Sequence, residues 1–168
     1  MANILYYDYI SKDNDMFLLV ASERGLCYVG LSDTDKDFWD KWKRKFYPTF
    51  ILKHDPKEMA VYSNNLTAYF NGEVTVFSLS VDVSGTVFQK QVWKALQLIP
   101  YGETTNYSAL AMQINRLKAI RAVANAVASN PLLIVIPCHR VMGKDGSLTG
   151  FRSGIRLKKK LLKLEAMS

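Results

Sequence analysis

Near residue 83 the patterning of this chain changes from strand-like to helix-like, and that change constrains its fold more than any other feature. Before it, "MFLLVASERGLCYVGLS" reads as two β-rich runs joined at Glu23-Arg24-Gly25, a hairpin signal, and the alternation of "EVTVFSLSV" predicts a further strand. Between them, "DTDKDFWDKWKRKFY" places Phe38, Trp42 and Phe46 at helical spacing. "PKEMAVYSNNLTAYFNG" begins with Pro56 and ends in Asn71-Gly72, a start and stop pair for a second helix. The aromatic residues here read as core rather than as a binding box, and Cys27, in mid-strand, as a small buried hydrophobe. Residues 1–82 are therefore expected to form a scaffold domain and residues 83–168 a second, helical one.

The second half opens with "VSGTVFQKQVWKALQLIPYG", in which Thr86 and Gln89 stand at capping-box spacing. Phe88, Val92, Leu96 and Ile99 share one face, and Pro100 with Gly102 stops the helix. In "GETTNYSALAMQINRLKAIRAVANAVASNP", Thr105 is placed to cap a helix carrying Tyr107, Leu110, Ala111 and Ile114. Ile120, Val123, Ala124 and Val127 repeat the spacing a few residues later, so a helix-turn-helix is predicted. On the neighbouring face lie Ala119, Ala122, Ala126 and Ser129, with Arg121 beside them. A helix reading base edges would show several Arg, Asn or Gln side chains there. Small side chains instead let a backbone approach a duplex closely with one cation projecting; the same spacing equally suits packing against another helix.

Charge separates the halves as well. Residues 1–82 hold nine basic and twelve acidic side chains, residues 83–168 thirteen and three, so the net charge of +7 belongs to the second half. Such a density of positive charge marks a polyanion partner, usually nucleic acid. The N-terminal "MANILYYDYI" lacks a basic region ahead of an apolar stretch, and no apolar window reaches the length of a membrane span. A cytoplasmic protein with no membrane association is expected. With Cys27, Cys138, His54 and His139 the only cysteines and histidines, neither a disulfide framework nor a metal site is expected.

The chemistry concentrates in "PLLIVIPCHRVMGKDG", residues 131–146. Five aliphatic residues bounded by Pro131 and Pro137 suit a buried strand or extended core segment, from which Cys138, His139 and Arg140 emerge. A cysteine after such a run is most often a buried structural thiol. Its company points elsewhere, because a neighbouring imidazole and nearby cations turn a thiol toward the nucleophilic thiolate. Neighbours in an extended chain face opposite ways, so His139 reaches the thiol only through a turn at Pro137 or a relaying water. In the last helix, "SGIRLKKKLLKLEAM", helical counting sets Leu157, Leu161 and Leu164 on one side and Arg156, Lys159, Lys160 and Lys163 on the other. Glu165 falls on the apolar side, where a carboxylate needs a partner, and His139 is the natural one; the alternative is a C-terminal glutamate in solvent.

Taken together, "IPYGETTNYSALA", "RAVANAVASNP", "IPCHRV", "GKDGSLTGFRSG" and the terminal "LLKLE" resemble the 6-O-alkylguanine-DNA alkyltransferase family, the methylated-DNA-protein-cysteine methyltransferases. The match runs in order over nearly all of residues 86–165. It implies an α+β protein, with a ribonuclease-H-like N-terminal α/β domain and a winged-helix-like C-terminal domain carrying the helix-turn-helix. It also implies a monomer that binds the minor groove of double-stranded DNA and flips the alkylated guanine into a pocket.

Carried over by position, the resemblance makes Cys138 the alkyl acceptor, His139 its base through a water, and Glu165 the group that orients His139. Tyr107 would hydrogen-bond the purine, Arg121 fill the space left by the flipped base, and Ala119, Ala122 and Thr105 lie at the DNA. Asn130, placed with the DNA-binding residues, would tie the recognition helix to the active segment, and Pro137, Val141 and Phe151 would line the pocket. The implied reaction is DNA repair by direct reversal, with no cofactor and one turnover per molecule, on 6-O-alkylguanine and also 4-O-alkylthymine. Leu133, Phe151 and Ala124 stand where relatives often carry proline, tyrosine and glycine, and the zinc ligands of some relatives are missing. Two other classes share some of these features. A lesion-sensing DNA-binding protein needs no reactive thiol, and a cysteine hydrolase turns over repeatedly and is indifferent to DNA.

Overall fold

The computed structural model describes residues 3–167. They divide into two compact units, one ending at Ser84 and the other beginning at Gly85. In the first unit, β1 (Ile4–Lys12), β2 (Asp15–Ser22) and β3 (Gly25–Leu31) precede α1 (Lys36–Phe46), β4 (Ile51–His54) and α2 (Pro56–Phe70). The sheet has the order β3-β2-β1-β4, antiparallel except where β4 runs parallel to β1. The β2–β3 hairpin turns at Glu23-Arg24, as the Gly25 signal implies. Its glycine is required by space: with φ at +150°, an added Cβ would sit 2.5 Å from the Ser80 carbonyl oxygen.

Helix α1 lays its aromatic stripe on this sheet. Trp42 is buried among Leu5, Val20, Cys27, Tyr28 and Tyr47, with Phe38, Trp39 and Phe46 packed around them. The ring centroids of Tyr28 and Trp39 are 4.7 Å apart, a separation suited to aromatic contact. Cys27 is fully buried, and burial pushes its thiol up to about 12, so it is inert packing. Helix α2 starts where Pro56 occupies the first turn and the Asp55 carboxylate accepts from the Glu58 amide at 3.1 Å. It stops before Gly72, whose φ is +72°.

One expected strand is absent. "EVTVFSLSV" forms no ladder and touches β3 only as a single bridge at Leu26–Val81. There the Leu26 amide donates to Ser80 at 2.9 Å and the Asp82 amide to Leu26 at 2.8 Å. The alternation that suggested a strand has no buried face to serve, since Val76 is 79% exposed. Alternation marks a strand only when one side is covered.

In the second unit, α3 (Val87–Leu96) is followed by β5 (Thr105–Asn106), α4 (Tyr107–Gln113), α5 (Ile120–Ala128), β6 (Val141–Met142) and α6 (Ile155–Ala166). The capping box predicted for α3 is present: Gln89 N–H donates to Thr86 Oγ1 at 3.0 Å, and Thr86 N–H to Gln89 Oε1 at 2.9 Å. Trp93 ties α3 to α5 through an Nε1–H bond to the Ala126 carbonyl at 2.8 Å. Thr105 does not cap α4; it lies in β5, which pairs parallel with β6, and Asn106 caps instead by accepting from the Ala109 amide at 2.8 Å. Asparagine is the stronger cap, and pairing with Val141 occupies Thr105. A short 3-10 turn, Leu117–Ala119, leads into α5 and completes the helix-turn-helix. Among the described residues no helix is long and apolar enough to cross a membrane.

Candidate active site

The aliphatic run before Cys138 is buried but forms no strand. It folds into consecutive tight turns. Val135 N–H donates to Leu133 at 2.8 Å across Ile134, whose φ is +74°, and Ile136 N–H donates to Leu132 at 2.9 Å. Cys138 N–H then donates to Ile136 at 2.8 Å across Pro137, whose φ of −80° and ψ of 64° are those of an inverse γ-turn. A left-handed conformation at a β-branched residue is strained and persists only where packing imposes it. Asn130 supplies part of that imposition: its Nδ2 donates to Ile136 at 2.8 Å while its Oδ1 accepts from the Leu132 amide at 2.9 Å.

These turns deliver Cys138 into a single 3-10 turn, Cys138–Arg140, rather than an extended chain. Cys138 is 5% exposed. Burial raises its pKa, while the Asn130 side chain and the charges of Arg152 and Lys158 pull it back down. His139 is fully buried, and its Nε2 lies 2.6 Å from Glu165 Oε2. Burial lowers the His139 pKa against the opposing pull of Glu165, so the ring is neutral. A carboxylate at Nε2 fixes the proton there. Nδ1, buried without a protein partner, then carries the lone pair.

Glu165 is the hub of this cluster. Besides His139 it accepts from Arg140 Nε at 2.8 Å, from Arg140 Nη2 at 3.1 Å and from the Gly102 amide at 3.2 Å. The Arg140 guanidinium is itself buried, gives its Nη1–H to the Ile99 carbonyl at 2.6 Å, and lies over the Tyr101 ring. A buried bidentate Arg–carboxylate pair of this kind fixes Glu165 in plane.

Across the site, Lys158 is also buried; its Nζ donates to the carbonyls of Val141 and, at 3.0 Å, Thr149, and it stands over the Phe151 ring. Burial lowers its pKa. The Thr149 carbonyl also accepts the Tyr107 hydroxyl at 3.0 Å, and Arg152 Nη2 donates to the Asn130 carbonyl at 3.0 Å. The 143–153 loop is thus fastened at three points beside Cys138.

Of the residues expected from sequence, Cys138, His139, Glu165, Pro137, Asn130 and Val141 come together in one buried cluster, with Tyr107 and Phe151 joined to it through Thr149 and Lys158. Asn130 is 1% exposed and its amide is spent on the 132–136 turns, so it has no surface to offer DNA; that assignment is corrected. Ala126 belongs to the core, at 3% exposure, because it faces Trp93. Ala122 and Arg121 are exposed on α5, and Ala119 is half-buried at its start. Reasoning from sequence missed the inward positions of Arg140 and Lys158. The signal existed for Lys158, which stands three and seven residues before Leu161 and Glu165 on the buried face of α6. Among the described residues no three His, Cys, Asp or Glu side chains gather in a way that could hold a metal.

A neutral imidazole beside a buried cysteine, in a basic unit with a helix-turn-helix, defines a DNA-binding protein with a thiol acceptor. Comparison with known proteins agrees. Residues 5–83 match the ribonuclease-like domain of 6-O-methylguanine DNA methyltransferase, and residues 87–167 match its DNA binding domain. The inducible methylated-DNA–protein-cysteine methyltransferase of Bacillus subtilis is 40% identical over 161 residues, covering 96% of this chain and 90% of the relative. That of Methanosarcina barkeri is 43% identical over 161 residues, covering 96% and 97%. The crystal structure of Mycobacterium tuberculosis OGT in complex with DNA superposes with a TM-score of 0.82 at 37% identity, covering 96% of this chain and 93% of that one. The chain belongs to the 6-O-methylguanine DNA methyltransferase family.

Proposed function

We propose that this protein repairs DNA by moving the alkyl group of a 6-O-alkylguanine onto Cys138, irreversibly and once per molecule. The observation that carries the reading is the 2.6 Å contact between His139 Nε2 and Glu165, which fixes the tautomer and leaves Nδ1 as the basic nitrogen on the residue that follows the thiol. A water between Nδ1 and Sγ takes the thiol proton, and the thiolate attacks the alkyl carbon in line. The S–C bond forms as the C–O6 bond breaks, its electron pair stays on the purine, and guanine gains the proton. Because the product is a thioether, which water does not hydrolyse, the protein is consumed.

Tyr107 donates to the leaving purine, exchanging the Thr149 carbonyl for it, and Pro137, Val141 and Phe151 line the pocket. Arg121 enters the duplex where the flipped base stood, while Ala119, Ala122 and Thr105 let α4 and α5 lie close in the minor groove. Thirteen basic residues against three acidic ones in residues 83–168 supply the sequence-independent attraction to phosphate. Asn130 acts through the turns it anchors. The protein works as a monomer in the cytoplasm and also accepts 4-O-alkylthymine.

The test is the intact mass after mixing with duplex DNA bearing one 6-O-methylguanine. A gain of one methyl group per molecule, absent from Cys138→Ser, is the expected result. An unchanged mass despite tight binding would instead make the chain a lesion-binding protein with a silent thiol.

A further inference from the structure

Two cations flank the acceptor segment, and the transfer chemistry above gives neither of them a role toward the alkyl group itself. Arg152 leaves the 143–153 loop two residues before Gly154, the N-cap of α6, and fixes its guanidinium on the Asn130 carbonyl at 3.0 Å. Asn130 also donates its Nδ2–H to the Ile136 carbonyl at 2.8 Å, two residues before Cys138. Lys158, one turn into α6, is held by Val141 and Thr149 on the other flank, and both charges act on Cys138. Their pull on the Cys138 thiol serves every alkyl group alike, and a methyl group has nothing further to offer either cation. An adduct with a negative charge one bond beyond the reacting carbon has more to offer, because thiolate and carboxylate must be brought within a few ångströms of each other in the transition state. A guanidinium meets a carboxylate through a planar fork of N–H groups, which an ammonium lacks.

We propose that Arg152, supported by Lys158, makes this acceptor selective for alkyl groups that carry an anion, of which 6-O-carboxymethylguanine is the simplest. The inference rests on the transfer reading given above. In the step, Cys138 Sγ bonds the methylene carbon as that carbon leaves O6. The O6 electron pair stays with guanine, which takes the thiol's proton, and Cys138 becomes S-carboxymethylcysteine with its carboxylate against Arg152.

The experiment offers limiting full-length protein an equimolar mixture of three duplexes, bearing 6-O-methyl-, 6-O-carboxymethyl- or 6-O-carboxamidomethylguanine, and reads the modified Cys138 peptide by mass. Carboxamidomethyl matches carboxymethyl in size without the charge. Wild type is expected to favour carboxymethyl over carboxamidomethyl, Arg152→Gln to lower that ratio about tenfold, and Arg152→Lys to recover part of it. A ratio unchanged in Arg152→Gln overturns the inference. So does an equal loss of all three adducts, which would assign Arg152 to a DNA phosphate or to holding the loop. Methyl transfer without a carboxymethyl preference in wild type refutes the selectivity and leaves the transfer reading standing; no transfer of any adduct refutes both.

Discussion

Replacing Glu165 by leucine should separate the folding role of the buried cluster from its chemical one. The carboxylate receives hydrogen bonds at 2.6, 2.8, 3.1 and 3.2 Å, two of them from the guanidinium of Arg140, a residue itself 6% exposed. Removing one partner of a buried ion pair leaves an uncompensated charge and costs about 3–5 kcal/mol. With a urea m-value of about 2 kcal/mol per molar, the midpoint falls by about 1.5–2.5 M. Urea titration followed by hydrogen exchange of peptides from residues 85–167 reads this in the unit concerned. Arg140→Leu should cost a comparable amount, because it strands the carboxylate and exposes the Ile99 carbonyl's loss of a 2.6 Å bond. The double variant, lacking both charges, should be more stable than the sum of the single losses predicts, by about 2–3 kcal/mol of coupling. It should still transfer no methyl group, since His139 has lost the carboxylate that fixes its tautomer. A midpoint shift under about 0.5 M in Glu165→Leu, or additive losses in the double variant, would refute the account of Glu165 as the partner of a buried guanidinium.

Three further outcomes follow from the same geometry. Thr86→Ala removes the side-chain half of the capping box of α3 and should cost about 1 kcal/mol in urea titration, whereas Thr86→Ser should cost almost nothing. Gly25→Ala forces a Cβ into the Ser80–Val81 backbone and should destabilise the first unit by about 2–3 kcal/mol, with amide exchange at Leu26 and Asp82 accelerated before that of β1. Because burial raises the Cys138 pKa, its alkylation by iodoacetamide should keep accelerating as pH rises through the ordinary thiol value rather than level off near neutrality. The same shift means that the protonated thiol favours folding below that value, and that this contribution fades as pH climbs toward the raised one. A rate plateau near pH 7 would show a resting thiolate instead.

The helices were readable because their signals are local. Phe38, Trp42 and Phe46 fall on one stripe, Pro56 and Gly72 bracket α2, and Thr86 with Gln89 writes the start of α3. Charge asymmetry and the Cys-His pair were likewise visible without coordinates. Three kinds of feature were not. The turn at Ile134 places a β-branched residue where its type is least expected, so composition argued for a strand. Arg140 and Lys158 carry charges that in most sequences face water, and only tertiary partners at Glu165, Val141 and Thr149 bring them inside. The 73–81 segment alternates correctly, yet a strand needs a neighbour along its length, and pairing at Leu26 alone does not provide one.

The turn at Ile134 also bears on how long the region stays closed. A left-handed β-branched residue holds about 1–3 kcal/mol that the surrounding packing must keep in check. Leu132, Leu133 and Ile136 do so while the acceptor keeps its original volume, and Asn130 latches the backbone at both ends of the bend. Opening this segment therefore refunds conformational energy that opening an ordinary buried loop does not. Volume added at Cys138, which the Pro137 turn joins directly to this bend, would fall on the packing that holds it. A molecule alkylated there would open this segment more readily than a fresh one, and a protease that samples transient openings would tell the two apart without recognising the thioether at all.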